Sequence, residues 1–257
     1  MKNYWIMGDI HGDYIPVRNF YIHHKNDLST NPDDNILILL GDVGANYFFN
    51  ERDGQFKNKL EKLPFTYFCI RGNHEERPSV IMETNPYWHL EHRFDGIVYV
   101  ENAHPHILYA LDGGGEYEID NKSVLVIPGA YSVDKEFRLN RGWSWFRGEQ
   151  LTEEEKTDIL NGLDSHYDVI LSHTCPYRWQ HDIKDLFLGI VDQSKVDTSM
   201  EKFLDEVTAR TEWNRYYFGH YHDDRDIPLA DATMLFHLAV PFGLSILEYQ
   251  RKSFDIL

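Results

Sequence analysis

Residues 36–42 read Ile-Leu-Ile-Leu-Leu-Gly-Asp, an uninterrupted apolar run that ends in a glycine and a carboxylate. Two other segments have the same design. Tyr4–Met7 runs into Gly-Asp at residues 8–9, and Phe65–Ile70 runs into Arg-Gly-Asn-His at residues 71–74. Continuous apolar runs of this length suit β-strands that are covered on both faces. The pattern therefore predicts buried strands that each end in a polar turn.

Two stretches between these runs have helical character. One covers about Tyr14–Lys25 and the other about Glu51–Lys62, where Phe56, Leu60 and Leu63 recur at helical spacing. Alternating strands and helices place neighbouring strands parallel to one another in an α/β layer. We therefore expect the N-terminal third of the chain to form one parallel sheet.

The middle of the chain changes character. Its apolar runs are short and are separated by turn residues such as Gly113–Gly115, a pattern typical of antiparallel strands. These runs lie at Ile97–Val100, Ile107–Leu111, Glu116–Ile119 and Ser123–Ile127. The elements predicted after them are a helix capped by Thr152, a strand at Val169–Leu171, a helix at Asp197–Arg210, a strand at Arg215–Phe218 and a β-hairpin over Met234–Tyr249.

Length and composition limit the class of protein. A chain of 257 residues is long enough for one sizeable domain, and we expect a single domain over residues 1–257. The sequence contains no apolar run long enough to span a bilayer or to act as a signal peptide. Cys69 and Cys175 are too few for a disulfide framework, so both are expected to be buried free thiols. We predict a cytoplasmic protein with no membrane contact.

The net charge of −17 and the pI near 5.1 describe an acidic surface. Such a surface repels nucleic-acid backbones unless cations or a local basic patch intervene. Because the sequence has no basic run, a nucleic-acid partner is not expected.

Five predicted strand ends carry side chains that bind metal ions. In open α/β sheets, ligands lie beyond the carboxyl ends of the strands, so residues far apart in sequence can share one crevice. The candidate donors are Asp9, His11, Asp42, Asn73, His173, His220 and His222. Oxygen and imidazole donors without thiolates suit Mn, Fe, Co, Ni or Zn, and they argue against a closed structural zinc site. Seven donors are too many for one ion with an open position, but they suit two ions that share a bridging carboxylate.

The order of these motifs resembles the calcineurin-like metallophosphoesterase superfamily. The resemblance rests on Asp-x-His at residues 9–11, Gly-Asp at 41–42, Gly-Asn-His-Glu at 72–75, His173, and Gly-His-x-His at 219–222. It implies an α/β fold in which a two-sheet β-sandwich is flanked by helices, with the metal site at the carboxyl ends of the strands. It also implies a first ion on Asp9, His11 and His222, a second on Asn73, His173 and His220, and Asp42 as the bridge.

The resemblance implies a hydrolase of phosphoesters, either a phosphatase or a phosphodiesterase. Two ions about 3.5 to 4 Å apart can hold a hydroxide and neutralise the phosphoryl oxygens. His74 then faces the substrate as the candidate general acid or as a stabiliser of the phosphoryl oxygens. Glu75 is interpreted as a hydrogen-bonding partner of the site and not as a catalytic acid.

One motif departs from the pattern of its nearest families. Residues 71–75 look like the corresponding motif of phosphoprotein phosphatases and bis-nucleoside tetraphosphatases, but Ala45 and Asn46 stand where those families have Asp and Arg. The Asp would orient the catalytic histidine and the Arg would bind phosphate. This change puts protein-phosphatase specificity in doubt, and we expect a small phosphorylated substrate or a nucleotide.

The missing phosphate contact has to come from elsewhere in the chain. Residues 129–135 and the Arg- and Trp-rich stretch 138–147 are either a substrate wall or a surface loop with half-buried tryptophans. Arg71, Arg141 and Arg147 are the candidate substrate contacts. The alternatives for function are a phosphoprotein phosphatase-like enzyme and a catalytically silent binding protein of the same fold. The complete set of donors, together with His74, favours an enzyme.

Overall fold

The computed structural model describes residues 2–187 and 191–254. Its strands, in chain order, are β1 Asn3–Met7, β2 Asn35–Leu39, β3 Thr66–Cys69, β4 Trp88–Arg93, β5 Gly96–Glu101, β6 His104–Ala110, β7 Gly115–Ile119, β8 Lys122–Ile127, β9 His166–Ser172, β10 Glu212–Phe218, β11 Arg225–Ile227, β12 Ala232–Met234 and β13 Val240–Pro241. Within the described ranges they form two mixed sheets. The first has the order β13-β1-β2-β3-β6-β5-β4, and the second has the order β11-β12-β10-β9-β8-β7.

Helices flank the two sheets. They are α1 Ile15–His24, α2 Glu51–Leu60, α3 Pro78–Thr84, α4 Lys135–Asn140, α5 Glu153–Gly162, α6 Ser199–Arg210 and α7 Ile246–Phe254, and 3-10 segments lie at Pro32–Asp34, Tyr177–Leu186, Gln193–Lys195 and Pro228–Ala230. Each helix boundary predicted in the N-terminal third lies within two residues of the observed one. Thr152 and Glu155 form the capping box that begins α5.

The core has three layers of apolar contact. Alternate residues of β2 divide between two of them: Ile36 and Ile38 face the second sheet, whereas Leu37 and Leu39 pack under α1 and α2. A third cluster lies between the second sheet and α6, where Leu204 is among the buried residues. Strands buried on both faces explain why the runs are continuous and not alternating. The predicted fold class, two sheets flanked by helices, is confirmed.

Sheet topology brings the polar turns together. β1, β2 and β3 run parallel, and so do β8, β9 and β10, so within each of these two sets the strands end on the same side. The two ends meet where the backbone N–H of His220 donates to Asp9 Oδ2 at 2.9 Å. The carboxyl edges of the two sheets therefore form one crevice.

The predicted C-terminal hairpin is wrong. Met234 ends β12, which pairs parallel with β10 in the second sheet, whereas Val240 lies in β13, which pairs antiparallel with β1 in the first sheet. The chain thus crosses between the sheets and does not fold back on itself. It continues into α7, which is preceded by a capping box: Glu248 accepts from the Ser245 N–H at 2.7 Å, and Ser245 Oγ accepts from the Glu248 N–H at 3.1 Å.

The sequence patterns do not predict α3 and β4, which lie between the first α/β segment and the antiparallel strands, nor α4 and β11. Cys69 and Cys175 are free and buried, as expected. In the described residues, no helix is both long enough and apolar enough to cross a bilayer.

Candidate metal centre

The crevice between the two sheets collects the predicted donors. Asp9 and His11 follow β1, Asp42 follows β2, Asn73 follows β3, His173 follows β9, and His220 and His222 follow β10. Their ligand atoms form overlapping groups in which all atoms lie within 4.8 Å of one another. The groups are Asp9 with His11 and His222, Asp42 with His173 and His220, and His11 with Asp42 and His74.

The backbone is strained where it presents these side chains. His11, Asp42, His220 and His222 all have a left-handed φ, between 46° and 69°. Non-glycine residues rarely adopt this conformation, and such outliers are found most often at functional sites. A Cβ at Gly41 would lie 2.2 Å from His173 Nδ1, so only glycine allows that ring to approach.

Asp9, His11 and His222 make up the first donor group. His11 Nε2 and His222 Nε2 are 2.8 Å apart, and His222 Nε2 lies 3.5 Å from Asp9 Oδ2. Asp9 is fully buried and is held in place by the N–H of His220. Two imidazole nitrogens and a carboxylate that converge in this way fit a divalent cation.

Hydrogen bonds on the outside of the second group fix the direction of its donors. His173 Nδ1 donates to the Leu40 carbonyl at 2.7 Å, which turns Nε2 toward the crevice. Asn73 Nδ2 donates to Ser132 Oγ at 2.9 Å, which turns Asn73 Oδ1 toward the same point. His173 Nε2 then lies 2.9 Å from Asn73 Oδ1 and 3.5 Å from Asp42 Oδ2. Three acceptors that converge require positive charge between them, and hydrogen bonds of this outer kind are common behind metal-binding histidines.

The charges in the crevice also indicate a site for positive charge. Burial would lower the pKa of His173, but Asp42 and then Asp9 raise this pKa to about 9. Burial alone would raise the pKa of Asp42, yet nearby imidazoles, that of His173 foremost, hold it well below its ordinary value. A proton on His173 and a metal ion are two ways to supply the same positive charge, so the residues present fit divalent cations.

His74 has two charged neighbours that the sequence did not identify. Arg138 Nη1 lies 3.4 Å from His74 Nδ1, and Asp134 Oδ1 lies 3.9 Å from His74 Nε2. Arg138 is 1% exposed; its Nε lies 3.1 Å from Asp134 Oδ1, and it also donates to the hydroxyl of Ser132. Asp134 and Arg138 are four residues apart around the start of α4, a spacing that favours an ion pair. This i, i+4 spacing is the sequence feature from which the Asp134–Arg138 pair could have been predicted.

The three arginines predicted as substrate contacts differ in their environment. Arg71 is buried and donates to the carbonyls of Gly72, Glu149 and Asp112 at 2.8 to 3.3 Å, so its guanidinium supports the backbone. Arg141 is exposed, with its guanidinium over the rings of Phe137 and Trp143. Arg147 is also exposed. The structure does not bring Arg71 to the crevice, and substrate contact by Arg141 and Arg147 stays a prediction.

Two other motif residues support the site from behind. Asn46 is buried, and its Oδ1 accepts from Lys57 of α2 at 2.8 Å, so its amide oxygen is engaged within the fold. Glu75 Oε1 accepts from the backbone N–H of Gly44 at 2.7 Å, which agrees with a structural role. Burial, followed by Asp42, raises the pKa of Glu75 to about 8.

A cavity of about 370 Å³ opens beside the crevice. Asp42, Asn73, His74, His220 and His222 form one side of it. Residues that are mostly apolar, together with Tyr131, Asp134, Glu201 and Tyr221, form the other sides. Part of the loop at residues 129–135, predicted as either a substrate wall or a surface loop, therefore lines this cavity.

The chain was compared with known protein sequences, solved structures and protein families. No curated protein sequence matches it significantly. Among solved structures, it is similar to a phosphopantetheinyl hydrolase from Mycobacterium tuberculosis, with 11% identity, a TM-score of 0.44, and coverage of 91% of this chain and 88% of that one. It is also similar to a protein of unknown function from Aquifex aeolicus (10% identity, 100% of both chains, TM-score 0.35) and to a hypothetical protein from Thermus thermophilus (12%, 91% and 75%, TM-score 0.38).

The family model for calcineurin-like phosphoesterases matches residues 2–224, which include every predicted metal donor. The chain belongs to the calcineurin-like phosphoesterase family.

Proposed function

We propose that this protein hydrolyses small phosphoesters with two divalent cations that share Asp42. The observation that carries this proposal is the convergence of the donor groups on Asp42, because one oxygen of Asp42, Oδ2, lies 3.5 Å from His173 Nε2 and 3.8 Å from His11 Nε2. A single closed site would leave donors unused.

Each cation would have its own set of ligands. Asp9, His11 and His222 would hold the first, and Asn73, His173 and His220 the second. The donor set suits Mn, Fe, Co, Ni or Zn. Cations held there would supply Lewis acidity toward the phosphoryl group and would activate water.

His74 would donate a hydrogen bond to the leaving oxygen as negative charge develops there, or to a phosphoryl oxygen. A guanidinium has only donors, so the imidazole nitrogen that faces Arg138, Nδ1, is the acceptor. The proton of the neutral ring then lies on Nε2, which lines the cavity side near Asp134. Arg138 is a positioning residue in this proposal, because it is almost fully buried and acts through His74.

The surroundings of the site favour small substrates over phosphoproteins. The position where the related phosphatases have a phosphate-binding arginine is Asn46, which bonds to Lys57 behind the site. Arg138 is buried, so it does not replace the phosphate-binding arginine of the related phosphatases. A cavity of about 370 Å³ beside the donors is in the lower range of small-molecule sites.

Hydrolysis assays test this proposal. Protein freed of metal and reloaded with Mn should hydrolyse phenyl phosphate or bis(4-nitrophenyl) phosphate, and a chelator should remove the activity. A phosphoserine protein should be a poor substrate. A wild-type protein that binds Mn but hydrolyses neither ester would support the silent binding protein instead.

A further inference from the structure

One wall of the cavity carries a buried carboxylate with an unused oxygen. Glu201 of α6 is 3% exposed and lines the same cavity as Asp42 and His74. Its Oε1 accepts from Thr174 Oγ1 at 3.1 Å. Its Oε2 has no hydrogen-bond partner among the described residues.

The polar groups next to Glu201 are engaged with one another. Thr174 Oγ1 lies 3.0 Å from the Tyr221 hydroxyl, and Gln180 Nε2 donates to that hydroxyl at 3.3 Å. A buried carboxylate oxygen without a donor is costly, because nothing replaces the water it has lost. A ligand that offers a hydrogen-bond donor at this point would therefore gain more than it would in open solvent.

The remaining walls disfavour a second anionic group. Val133, Leu186, Phe187 and Val196 give this side of the cavity an apolar surface. Among the described lining residues there is no lysine or arginine, and outside the donor groups the charged side chains are Asp134 and Glu201. A second phosphate would meet two carboxylates and no cation.

We propose that this cavity binds the organic group of the phosphoester, an apolar body with one hydrogen-bond donor that the Glu201 carboxylate accepts, and that it excludes a second phosphate. The donor is a hydroxyl or an ammonium group, since both match a carboxylate. This proposal rests on the proposed function and adds the substrate class to it. Nucleoside triphosphates and dinucleoside polyphosphates are then poor substrates.

A matched set of alkyl phosphates tests the subsite. Chains of three to six carbons would end in methyl, hydroxyl, ammonium or a second phosphate, so that the leaving group stays nearly constant while the far end changes. With Mn-loaded protein at pH 8, above the raised pKa of Glu201, the best hydroxyl or ammonium substrate should exceed its methyl counterpart in kcat/KM by about tenfold, as expected for a charge-assisted hydrogen bond. The bisphosphate should fall below the methyl compound.

Variants then separate the two donors. Glu201→Gln keeps an acceptor but removes the charge, so it should abolish the ammonium preference and retain part of the hydroxyl preference. Glu201→Leu should abolish both. Glu206→Gln, an exposed position on the same helix, is the matched control and should change neither ratio. Calorimetry with the corresponding alkylphosphonates should show the same order in Kd without any turnover.

The outcomes separate the subsite from the activity. If the wild-type protein hydrolyses aryl esters but treats all four tails alike, or prefers the bisphosphate, the subsite is wrong and the proposed function stands. If it hydrolyses no ester at all, both proposals fail. The comparison of the four substrates uses the wild-type protein alone. The proposal can therefore be contradicted even if the Glu201 variants fail to fold.

Discussion

Asp42 Oδ1 accepts a hydrogen bond of 2.8 Å from the backbone N–H of His74. One oxygen of the carboxylate is thus committed to the loop after β3, while the other faces His173 at 3.5 Å and His11 at 3.8 Å. The same bond fixes the backbone of His74 relative to the donor groups. Asp42, the predicted bridging ligand, and His74, the predicted general acid, are therefore held in a fixed position relative to each other.

Asp42→Asn should lower metal binding from two ions per chain to one or fewer and should abolish turnover. Asparagine keeps an oxygen to accept from His74, so the loop should retain its position while the negative charge between two cations is lost. Metal analysis after dialysis against Mn, together with steady-state assays, measures both effects. Asp158→Asn, an exposed change on α5, is the control. Retention of two tightly bound ions would contradict the bridging role.

His74→Ala should keep both ions but lose turnover by roughly 10²- to 10⁴-fold, the usual contribution of a general acid. The loss should be smaller for nitrophenyl esters than for alkyl esters, because a good leaving group needs little protonation. The measurement is kcat for both kinds of ester, with His89→Ala as an exposed control. Equal losses for both esters would assign His74 a purely electrostatic role.

Arg138→Met should reduce kcat for alkyl esters by about one to two decades, the value of a charge-assisted hydrogen bond. Arg138→Lys should restore part of the loss, and Arg18→Met on the surface of α1 should have no effect. Nitrogen NMR of zinc-loaded protein reports the tautomer of His74 independently of activity. The wild-type ring should carry its proton on Nε2. Unchanged kcat and tautomer in Arg138→Met would remove this residue from the site.

The part of the site that could be predicted lies in local sequence. Each strand end combines an apolar run, a small residue and a donor, so the position of Asp42 or His173 follows from its immediate neighbours. Parallel strands then bring such ends to one edge without further information. The fold class follows from the same alternation of buried strands and helices.

What could not be predicted depends on contacts between distant segments. Arg138 lies 64 residues from His74, and only the packed structure places the two side chains together. The division of the C-terminal strands between two sheets depends on their partners, β10 and β1, and not on their own sequence. The start of α7, in contrast, could have been predicted from local sequence, because Ser-x-x-Glu at residues 245–248 is a capping-box motif.

Glu201→Gln should stabilise the protein at alkaline pH and change little at acidic pH. Burial raises the pKa of Glu201 from 4.5 to about 7, so the folded state holds a proton that the unfolded state releases between those values. The wild-type protein therefore loses stability as the pH rises through this window, by roughly 2 to 3 kcal/mol, whereas glutamine has no proton to lose. Urea unfolding at pH 5 and pH 8 measures the difference. An equal gain at both pH values would contradict the raised pKa.

The most direct test of a dinuclear centre is electron paramagnetic resonance of protein reloaded with two equivalents of Mn. Two Mn²⁺ ions about 3.5 to 4 Å apart couple magnetically, so the wild-type protein should give an exchange-coupled spectrum at two bound ions per chain. Asp42→Asn should lose this coupling. A wild-type spectrum of isolated Mn²⁺, or saturation at one ion per chain, would contradict the account.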